Sequence, residues 1–377
     1  MQVGKASLRF EHPAFVASWA SVAGKKEGQG PLADGIDVKE QDEMFGMENW
    51  EQAESAMQKQ AADLALGKGN IHRREVRYLF AGDLLGQLIA TSFGTVDLEI
   101  PLFGLYGACS TMGEALGLGA MCVNAGYADR VLALASSHYA TAEKQFRFPL
   151  GYGNQRAQSA TWTVTGCGAV VLESGQTEAG SEKALGTEEK QAETNVGKKT
   201  EPAQQKQIQV LCAADHRFRV AVTGITTGKL VDMGTKDSMN MGAAMAPAAW
   251  HTICRNFEDF GVDASYYDRI ITGDLGVVGQ KALLDFMKNS GYDITGKHMD
   301  CGLEIYDRGE QDVHSGGSGC GCSAVTLCAH ILPKLMRGEW NRVLFVPTGA
   351  LLSTVSYNEG QSIPGIAHAV MLERMEV

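Results

Sequence analysis

Three pairs of similar segments, found in the same order in the two halves of the chain, constrain the fold more than any other feature. The matching segments are residues 80–87 with 271–280, 107–137 with 319–349, and 163–173 with 362–373. One pair could arise by chance, but three in the same order indicate two copies of one α/β unit. A duplicated α/β unit places its ligand pocket where the corresponding loops of the two copies meet.

Composition divides the chain into three parts. Residues 1–173 and 209–377 carry the two copies, and residues 174–208 between them have no aromatic side chain and are crowded with Glu, Lys, Gln, Thr and Gly. Such a segment cannot bury enough apolar area to offset the entropy lost on ordering. We therefore predict a mobile surface insertion, with a solvated helix as the alternative.

The bulk composition excludes several classes of protein. The net charge of −11 and the lack of any run of Lys and Arg argue against nucleic acid as a partner. No stretch reaches the roughly 18 apolar residues of a membrane span, and residues 1–15 are too polar for a signal peptide. We expect a cytoplasmic protein whose membrane association is peripheral. The nine cysteines mostly lie among small and apolar residues, which favours buried, reduced thiols over disulfides.

Cys109 is the leading candidate for a reactive group. It follows a turn at residues 107–108 and precedes a helix at 110–124 in which Glu114 is the only charged residue. A sulfur at the amino end of a helix is favoured as a thiolate, and free N–H groups there can stabilise an oxyanion. The alternative, a small cysteine packed where nothing larger fits, is the interpretation we favour for Cys122, Cys167 and Cys328.

The motifs resemble those of a known superfamily. The duplicated halves, "GACS" at 107–110, "NMGAAMAPAA" at 240–249 and "GGSGCGCSA" at 316–324 resemble the thiolase-like superfamily, which includes thiolases and ketoacyl synthases. Within it, segments such as "NWEQAE", "SSHYATAEKQFRFP", "CGLEIYD" and "TGALLS" resemble the stage V sporulation protein AD family over nearly the whole chain. The resemblance implies an α/β fold of five layers, α-β-α-β-α, usually dimeric. It also implies a role in handling dipicolinic acid in developing bacterial spores, beside membrane proteins of the same system.

The chain departs from the catalytic members of the superfamily at two positions. The resemblance implies that a synthase needs a cysteine nucleophile, here Cys109, and a histidine and an asparagine that donate hydrogen bonds to the thioester enolate. Asp274 stands where the histidine belongs, and Ser318 is the nearest polar residue to the asparagine position. An ionised aspartate donates no hydrogen bond and opposes a neighbouring thiolate. Loss of one such donor costs on the order of 100- to 1000-fold in rate, so we predict that the usual condensation does not occur.

Three further residues, Asp83, His138 and Arg147, are candidates for ligand binding. Asp83 occupies the position in the first copy that Asp274 occupies in the second, so the two could flank one pocket and share a calcium ion or a proton. For both, capping a helix is the alternative. His138 and Arg147 lie in segment 136–153, where a guanidinium between two phenylalanines suits an aromatic acid. A surface or dimer-interface loop is the alternative for that segment.

The late cysteines do not predict a metal site. His314, Cys320, Cys322 and Cys328 match no standard zinc spacing, and we expect neither a bound metal ion nor a cofactor. Tight packing of small residues explains the segment better.

These observations favour a sporulation protein that binds dipicolinic acid, alone or as its calcium chelate, in a non-catalytic pocket. It would support uptake of the acid into the developing spore, as a homodimer at the spore inner membrane beside membrane transport proteins. One alternative is an acyltransferase in which Cys109 accepts the acyl group and His138 or His314 acts as base. The other is a scaffold for membrane channel subunits.

Overall fold

The computed structural model describes residues 1–146, 155–175 and 217–377. Arg147 lies outside the described residues, as does the predicted insertion from residue 176 onward. The strands are β1 (Gln2–Val3), β2 (Ser7–Ala23), β3 (Val38–Lys39), β4 (Tyr78–Gly82), β5 (Leu102–Gly104), β6 (Arg130–Ser137), β7 (Trp162–Thr163), β8 (Gly166–Ser174), β9 (Phe218–Thr226), β10 (Arg269–Thr272), β11 (His298–Asp300), β12 (Gly317–Ser318), β13 (Arg342–Val346), β14 (Thr348–Ala350), β15 (Gly365–Ala367) and β16 (Ala369–Glu376).

The helices connect these strands in the α/β pattern that the sequence predicts. They are α1 (Trp50–Lys68), α2 (Ile89–Thr95), α3 (Thr111–Asn124), α4 (Tyr139–Phe146), α5 (Met241–Phe260), α6 (Gly276–Asn289), α7 (Cys301–Glu304), α8 (Cys320–Thr326), α9 (Leu332–Met336) and α10 (Thr354–Asn358). A π-helical turn at Leu327–Ile331 joins α8 to α9. No helix within these described ranges is long and apolar enough to cross a membrane.

The strand order repeats in the two halves. The first half reads β5-β4-β6-β8-β2 and the second reads β11-β10-β13-β16-β9, and β2 pairs antiparallel with β9 to join them into one sheet. In each half the central pair is parallel, β4 with β6 and β10 with β13, and the strand that follows in the order is antiparallel. The predicted α/β class with two duplicated halves is therefore confirmed.

Alternating side chains along the strands separate three hydrophobic clusters. On β6, Val131 and Ala133 point into a central cluster with α3 and α8, whereas Leu132 and Leu134 pack against α1. In the second half, Leu344 belongs to an outer cluster with α5 and α6. Because successive strand residues face opposite sides of a sheet, helices cover both faces of each half. The result is the alternation of helix and sheet layers that the five-layered fold predicts.

Small residues let the central helix α3 approach both halves. A Cβ atom on Gly113 would lie 3.1 Å from the Pro347 ring, which belongs to the second half. Burial of Met112 and Leu116 from the same helix contributes on the order of 1.5–3 kcal/mol for each side chain. The helix that begins just after Cys109 is thus fixed between the two halves, and the position of Cys109 is fixed with it.

Candidate functional site

A cavity lies at the junction of the two halves, where the repeat predicts a pocket. It is a small cavity that is partly open to solvent. Its described lining residues are Leu84, Ala108, Cys109, Ala142, Glu143, Phe146, Thr163, Met241, Asp274, Ser318, Gly319, Ala350 and Leu352. Three of the residues singled out in the sequence, Cys109, Asp274 and Ser318, are therefore brought together.

Cys109 sits in a tight turn at the amino end of α3. Ala108 has a left-handed backbone (φ 49°), and residues Ala108–Ser110 form a 3-10 turn that leads into the helix. The Cys109 side chain is buried, and its thiol lies within hydrogen-bond distance of the Asp274 carboxyl and the Gly319 N–H. The turn is as predicted, and it points the sulfur into the cavity rather than into solvent.

The expectation of a thiolate at Cys109 was wrong. Burial raises the pKa of the Cys109 thiol well above its ordinary value, and the negative charges of Asp274 and Cys320 raise it further. The Gly319 N–H acts in the opposite direction but is a smaller influence. Desolvation of the sulfur therefore outweighs the helix terminus, and the thiol stays protonated at neutral pH and donates to Asp274.

Asp274 is held in the cavity by one hydrogen bond to each of its two oxygens. Its Oδ1 accepts from the Thr348 hydroxyl at 2.8 Å and its Oδ2 accepts from the Gly319 N–H at 3.0 Å. Burial raises the pKa of Asp274 to about 7, although these donors and the Cys109 thiol lower it. Asp274 is therefore a carboxyl group poised between its neutral and ionised forms near neutral pH.

Asp274 is not a helix cap. The N–H groups of Leu275 and Gly276, at the start of α6, donate to the Asp300 carboxylate at 2.9 and 3.0 Å. Asp300 comes from the end of β11 and also accepts from the Thr272 hydroxyl at 2.6 Å. A second acid therefore takes the capping role, and Asp274 remains available to the cavity. Sequence analysis missed Asp300, whose only signal is its place at the end of a short strand.

The loop before α8 supplies the opposite wall. Strand β12 pairs with β7 so that Ser318 lies beside Thr163, and both side chains line the cavity. Gly319 has a φ of 95°, and a Cβ there would lie 2.5 Å from the Ser137 hydroxyl. Only glycine can direct its N–H at Asp274 from this position. The Ser318 hydroxyl has no hydrogen-bond partner among the described residues, which leaves it available to a ligand.

Asp83 is not brought to the cavity. Its Oδ1 accepts from the Leu85 N–H at 2.7 Å, and its Oδ2 accepts from the N–H and hydroxyl of Thr91 at 2.8 and 2.6 Å. These contacts stabilise the loop before α2 and engage both oxygens of the Asp83 carboxyl group, so neither is available to a ligand in the cavity. The idea that Asp83 and Asp274 share one calcium ion or one proton was therefore wrong. The described residues contain no group of three or more His, Cys, Asp or Glu that could hold a metal.

His138 is also occupied elsewhere. Its Nδ1 accepts from the Ala140 N–H at 3.1 Å, so its Nε2 carries the proton that it donates to the Glu43 carbonyl at 2.9 Å. Burial lowers the pKa of His138. The ring thus caps the start of α4 as a neutral group, and it does not line the cavity. His314 hydrogen-bonds to the Ala157 carbonyl outside the cavity, so neither histidine is placed to act as base on Cys109.

Helix α4 contributes wall residues that the sequence did not single out, among them Glu143 and Phe146. A buried carboxyl group anchors this helix. Glu54 accepts from the Ser136 hydroxyl at 2.8 Å and from the Thr141 hydroxyl, at the start of α4, at 2.7 Å. Burial, and then the charge of Asp83, raises the pKa of Glu54 to about 8, so the anchor is neutral at pH 7.

The charge of the cavity wall decides what it can hold. Apart from Cys109, the ionisable residues in the described lining are Asp274 and Glu143. The described lining contains no Lys, Arg, His or Asn. Apolar side chains such as Leu84, Met241 and Leu352 form much of the remainder. The wall suits a flat, largely apolar ligand with a bound cation that contacts the acidic side chains. It also suits a ligand whose oxygen atoms accept hydrogen bonds from the hydroxyl groups of the wall.

Comparison with known proteins gives one family match and one close relative. A family model described as stage V sporulation protein AD matches residues 4–373. Stage V sporulation protein AD of Bacillus subtilis (strain 168) is 41% identical over 372 residues, which cover 98% of this chain and 97% of that protein.

Solved structures with the same fold are distant in sequence. The 3-oxoacyl-(acyl carrier protein) synthase III of Pseudomonas aeruginosa PAO1 has a TM-score of 0.52 and 13% identity, covering 96% of this chain and 98% of that one. The tetronic acid condensing enzyme AbyA1 has a TM-score of 0.54 and 15% identity, covering 95% and 99%. These likenesses confirm the thiolase-like fold and carry no activity with them.

Proposed function

The chain belongs to the stage V sporulation protein AD family, and from this premise we propose that it binds dipicolinic acid in the cavity around Cys109 without transforming it. Membership makes it a sporulation protein with a thiolase-like fold. The ligand and the absence of catalysis are the proposal.

One observation carries the proposal: the Cys109 thiol meets a carboxyl group where a condensing enzyme would need hydrogen-bond donors. Asp274 accepts hydrogen bonds from Thr348, Gly319 and Cys109, and it has no proton to give a developing oxyanion once it is ionised. Raising the pKa of the thiol also removes the nucleophile. The described wall therefore favours reversible binding over acyl transfer.

The lining also supports a calcium chelate over the free dianion. Dipicolinate carries two carboxylates on a flat pyridine ring, and both would be repelled by Asp274 in its ionised form. A calcium ion takes six to eight oxygen ligands and can bridge carboxylates of the ligand and the protein. Phe146 and the apolar wall can then contact the ring, while the hydroxyls of Thr163 and Ser318 donate to remaining oxygens. Calcium enters in this scheme as part of the cargo.

We further propose that the protein supports uptake of this cargo into the developing spore, peripherally at the inner membrane and beside membrane transport proteins. Family membership motivates this role. A protein of this kind would present and release the chelate while membrane subunits provide the path. Loss of fluorescently tagged protein from the inner membrane when those subunits are deleted would support the association, and unchanged localisation would contradict it.

We also propose a homodimer formed through the edge of the first half. Among the described strands, β5 has only β4 as a neighbour, and its Leu102 and Phe103 are exposed. Ile89 and Phe93 on α2, and Val96 in the 3-10 turn that follows it, are exposed as well. An unpaired edge strand beside an apolar stripe suits antiparallel pairing with a second copy. Sedimentation velocity of wild type and Phe93→Glu checks this, since a wild-type monomer at micromolar concentration would contradict it.

Calorimetric titration of the purified protein tests the proposed function. With calcium present, dipicolinate should bind saturably at one site per chain, and a Ser318→Trp variant that fills the cavity should lose the heat signal. Wild-type thermal unfolding in the variant would show that the fold is kept. No saturable binding to folded wild type, with or without calcium, would end the proposal.

A further inference from the structure

A second group of residues, outside the cavity, concentrates positive charge on one aromatic ring. The guanidinium carbon of Arg156 lies 4.6 Å from the centre of the Trp162 ring, and the Lys26 ammonium lies 4.1 Å from the same centre. Tyr139 stacks on that ring at 3.9 Å and 11°. Because Tyr139 covers one face of the indole, the two cations share the other face. We call Lys26, Arg156 and Trp162 the cation cluster.

One exposed residue, Asp312, contacts both cations. The Arg156 Nη2 lies 2.7 Å from an Asp312 carboxylate oxygen, and the Lys26 ammonium reaches the Asp312 backbone carbonyl at 3.5 Å. His314 contacts the other Asp312 oxygen at 3.1 Å. Burial, and then Arg156, lowers the pKa of Lys26, against the opposing influence of Asp312 and of Glu27. Burial raises the pKa of Glu27, although the hydrogen bond that Glu27 accepts from the Tyr306 hydroxyl acts in the opposite direction. The cluster is therefore short of negative charge.

Arg156 also has donors without acceptors. Its side chain is only 2% exposed, and neither its Nε nor its Nη1 has a hydrogen-bond partner among the described residues. A buried guanidinium N–H that loses water without gaining an acceptor is costly, and arginine has five such donors in a rigid planar arrangement. The unpaired donors indicate an acceptor that the described residues do not supply.

We propose that the cation cluster is a binding site for a small carboxylate ligand, with Arg156 as its main contact. The Asp312 side chain, which is 72% exposed, occupies the place of one ligand carboxylate and can swing into solvent when the ligand arrives. Carboxylate is the favoured class because planar guanidinium and planar carboxylate pair through two parallel hydrogen bonds. Trp162 provides a flat surface next to the charges, which suits an aromatic acid.

The position of the cluster links it to the cavity. Trp162 and Thr163 are consecutive in β7, so their side chains leave opposite faces of the strand, and Thr163 lines the cavity while Trp162 carries the cations. The free dianion, which ionised Asp274 repels, is attracted here instead. If the proposed function holds, this outer site collects calcium-free dipicolinate beside the cavity. The expected affinity for carboxylates does not require that dipicolinate is the natural ligand.

Tryptophan fluorescence during titration with sodium dipicolinate, in the presence of a calcium chelator, tests the site. Binding should change the Trp162 signal, and Trp162→Phe should remove the change. Arg156→Gln should raise the midpoint at least about tenfold, and Lys26→Met should raise it as well, which keeps the test valid if one variant fails to fold. Lys334→Met is a matched control, because Lys334 stacks on Trp340 at 5.1 Å in another part of the molecule.

The outcomes separate this site from the cavity. Unchanged midpoints in both Arg156→Gln and Lys26→Met, or no Trp162-dependent signal in wild type, would overturn the outer site while leaving chelate binding in the cavity untouched. Sulfate that competes as strongly as benzoate would overturn the carboxylate assignment. Loss of calcium-dependent binding in Ser318→Trp with the Trp162 signal retained would show that the two sites are distinct.

Discussion

Ionisation of Glu54 and Asp274 inside the folded chain should lower the free energy of unfolding by about 2–3 kcal/mol between pH 6.5 and pH 8.0, as the contribution of these two buried carboxyl groups to the total change. Burial raises the pKa of Glu54 to about 8 and that of Asp274 to about 7, against about 4 in an unfolded chain. Between those values the folded state binds more protons than the unfolded state, so stability decreases as pH rises. A carboxyl group that is protonated in the folded chain and ionised in the unfolded chain lowers the free energy of unfolding by about 1.4 kcal/mol for each pH unit of increase.

Buried histidines oppose this contribution in the lower part of the window. Burial lowers the pKa of His298 and His330 to about 4 and also lowers the pKa of His138, His251 and His368. Because an unfolded histidine still binds protons near pH 6.5, each of them raises stability by at most about 0.4 kcal/mol across the window, and the difference between wild type and Glu54→Gln cancels this effect. Equilibrium denaturation in urea at pH 6.5, 7.25 and 8.0 measures the slope. Glu54→Gln keeps the shape of the anchor without its charge and should flatten the slope. The exposed Glu48→Gln is the control, and equal slopes in Glu54→Gln and wild type would contradict the assignment.

Replacing Asp274 with alanine should lower the free energy of unfolding by about 3–5 kcal/mol and abolish chelate binding. The change leaves the Gly319 N–H and the Thr348 hydroxyl buried without their acceptor. Each unsatisfied donor costs about 1–3 kcal/mol, and the loss of packed atoms adds to this. Chemical denaturation at pH 6.5 measures the stability.

The matched change Asp274→Asn separates binding from stability. Its amide oxygen can keep one of the two hydrogen bonds, so the loss of stability should be smaller, about 1–2 kcal/mol. The carboxylate that would contact calcium is gone, and affinity for calcium dipicolinate should fall roughly 30-fold, or about 2 kcal/mol. Asp285→Asn, on the exposed side of α6, should leave affinity and stability unchanged. Wild-type affinity in Asp274→Asn would remove Asp274 from the binding site.

The repeat was sufficient to predict the architecture and the place of the pocket. Matching segments fold into matching strands, and the carboxyl ends of parallel strands meet at one edge, so Cys109 and Asp274 had to approach each other. Ser318 follows from the same logic, because the loop before α8 corresponds to the turn before α3. Local sequence and sheet topology determine these positions, and both can be read from residue order.

The roles of individual carboxylates could not be read in this way. Asp83 and Asp274 hold equivalent places in the two copies, yet Asp83 is bound by the loop before α2, whereas Asp300 takes the capping role in the second half and frees Asp274. The sequence pattern does not predict which of several acidic side chains accepts a hydrogen bond from a given backbone N–H group. The pKa of Cys109 was mispredicted for a related reason, since burial depends on the whole packed molecule.

The cation cluster shows a further limit of sequence reasoning. Lys26, Arg156 and Asp312 are far apart along the chain, and none belongs to a recognisable motif. Only the packing of the segment before β7 against the loop before β12 brings them together. Their proximity is therefore visible in the fold alone.

A crystal structure of the protein soaked with calcium dipicolinate tests the central claim most directly. We expect a planar ligand in the cavity, a calcium ion in contact with the Asp274 carboxylate, and a Cys109 sulfur that forms no covalent bond to a ligand. An acyl group attached to Cys109, or an occupied site elsewhere with this cavity empty, would contradict it.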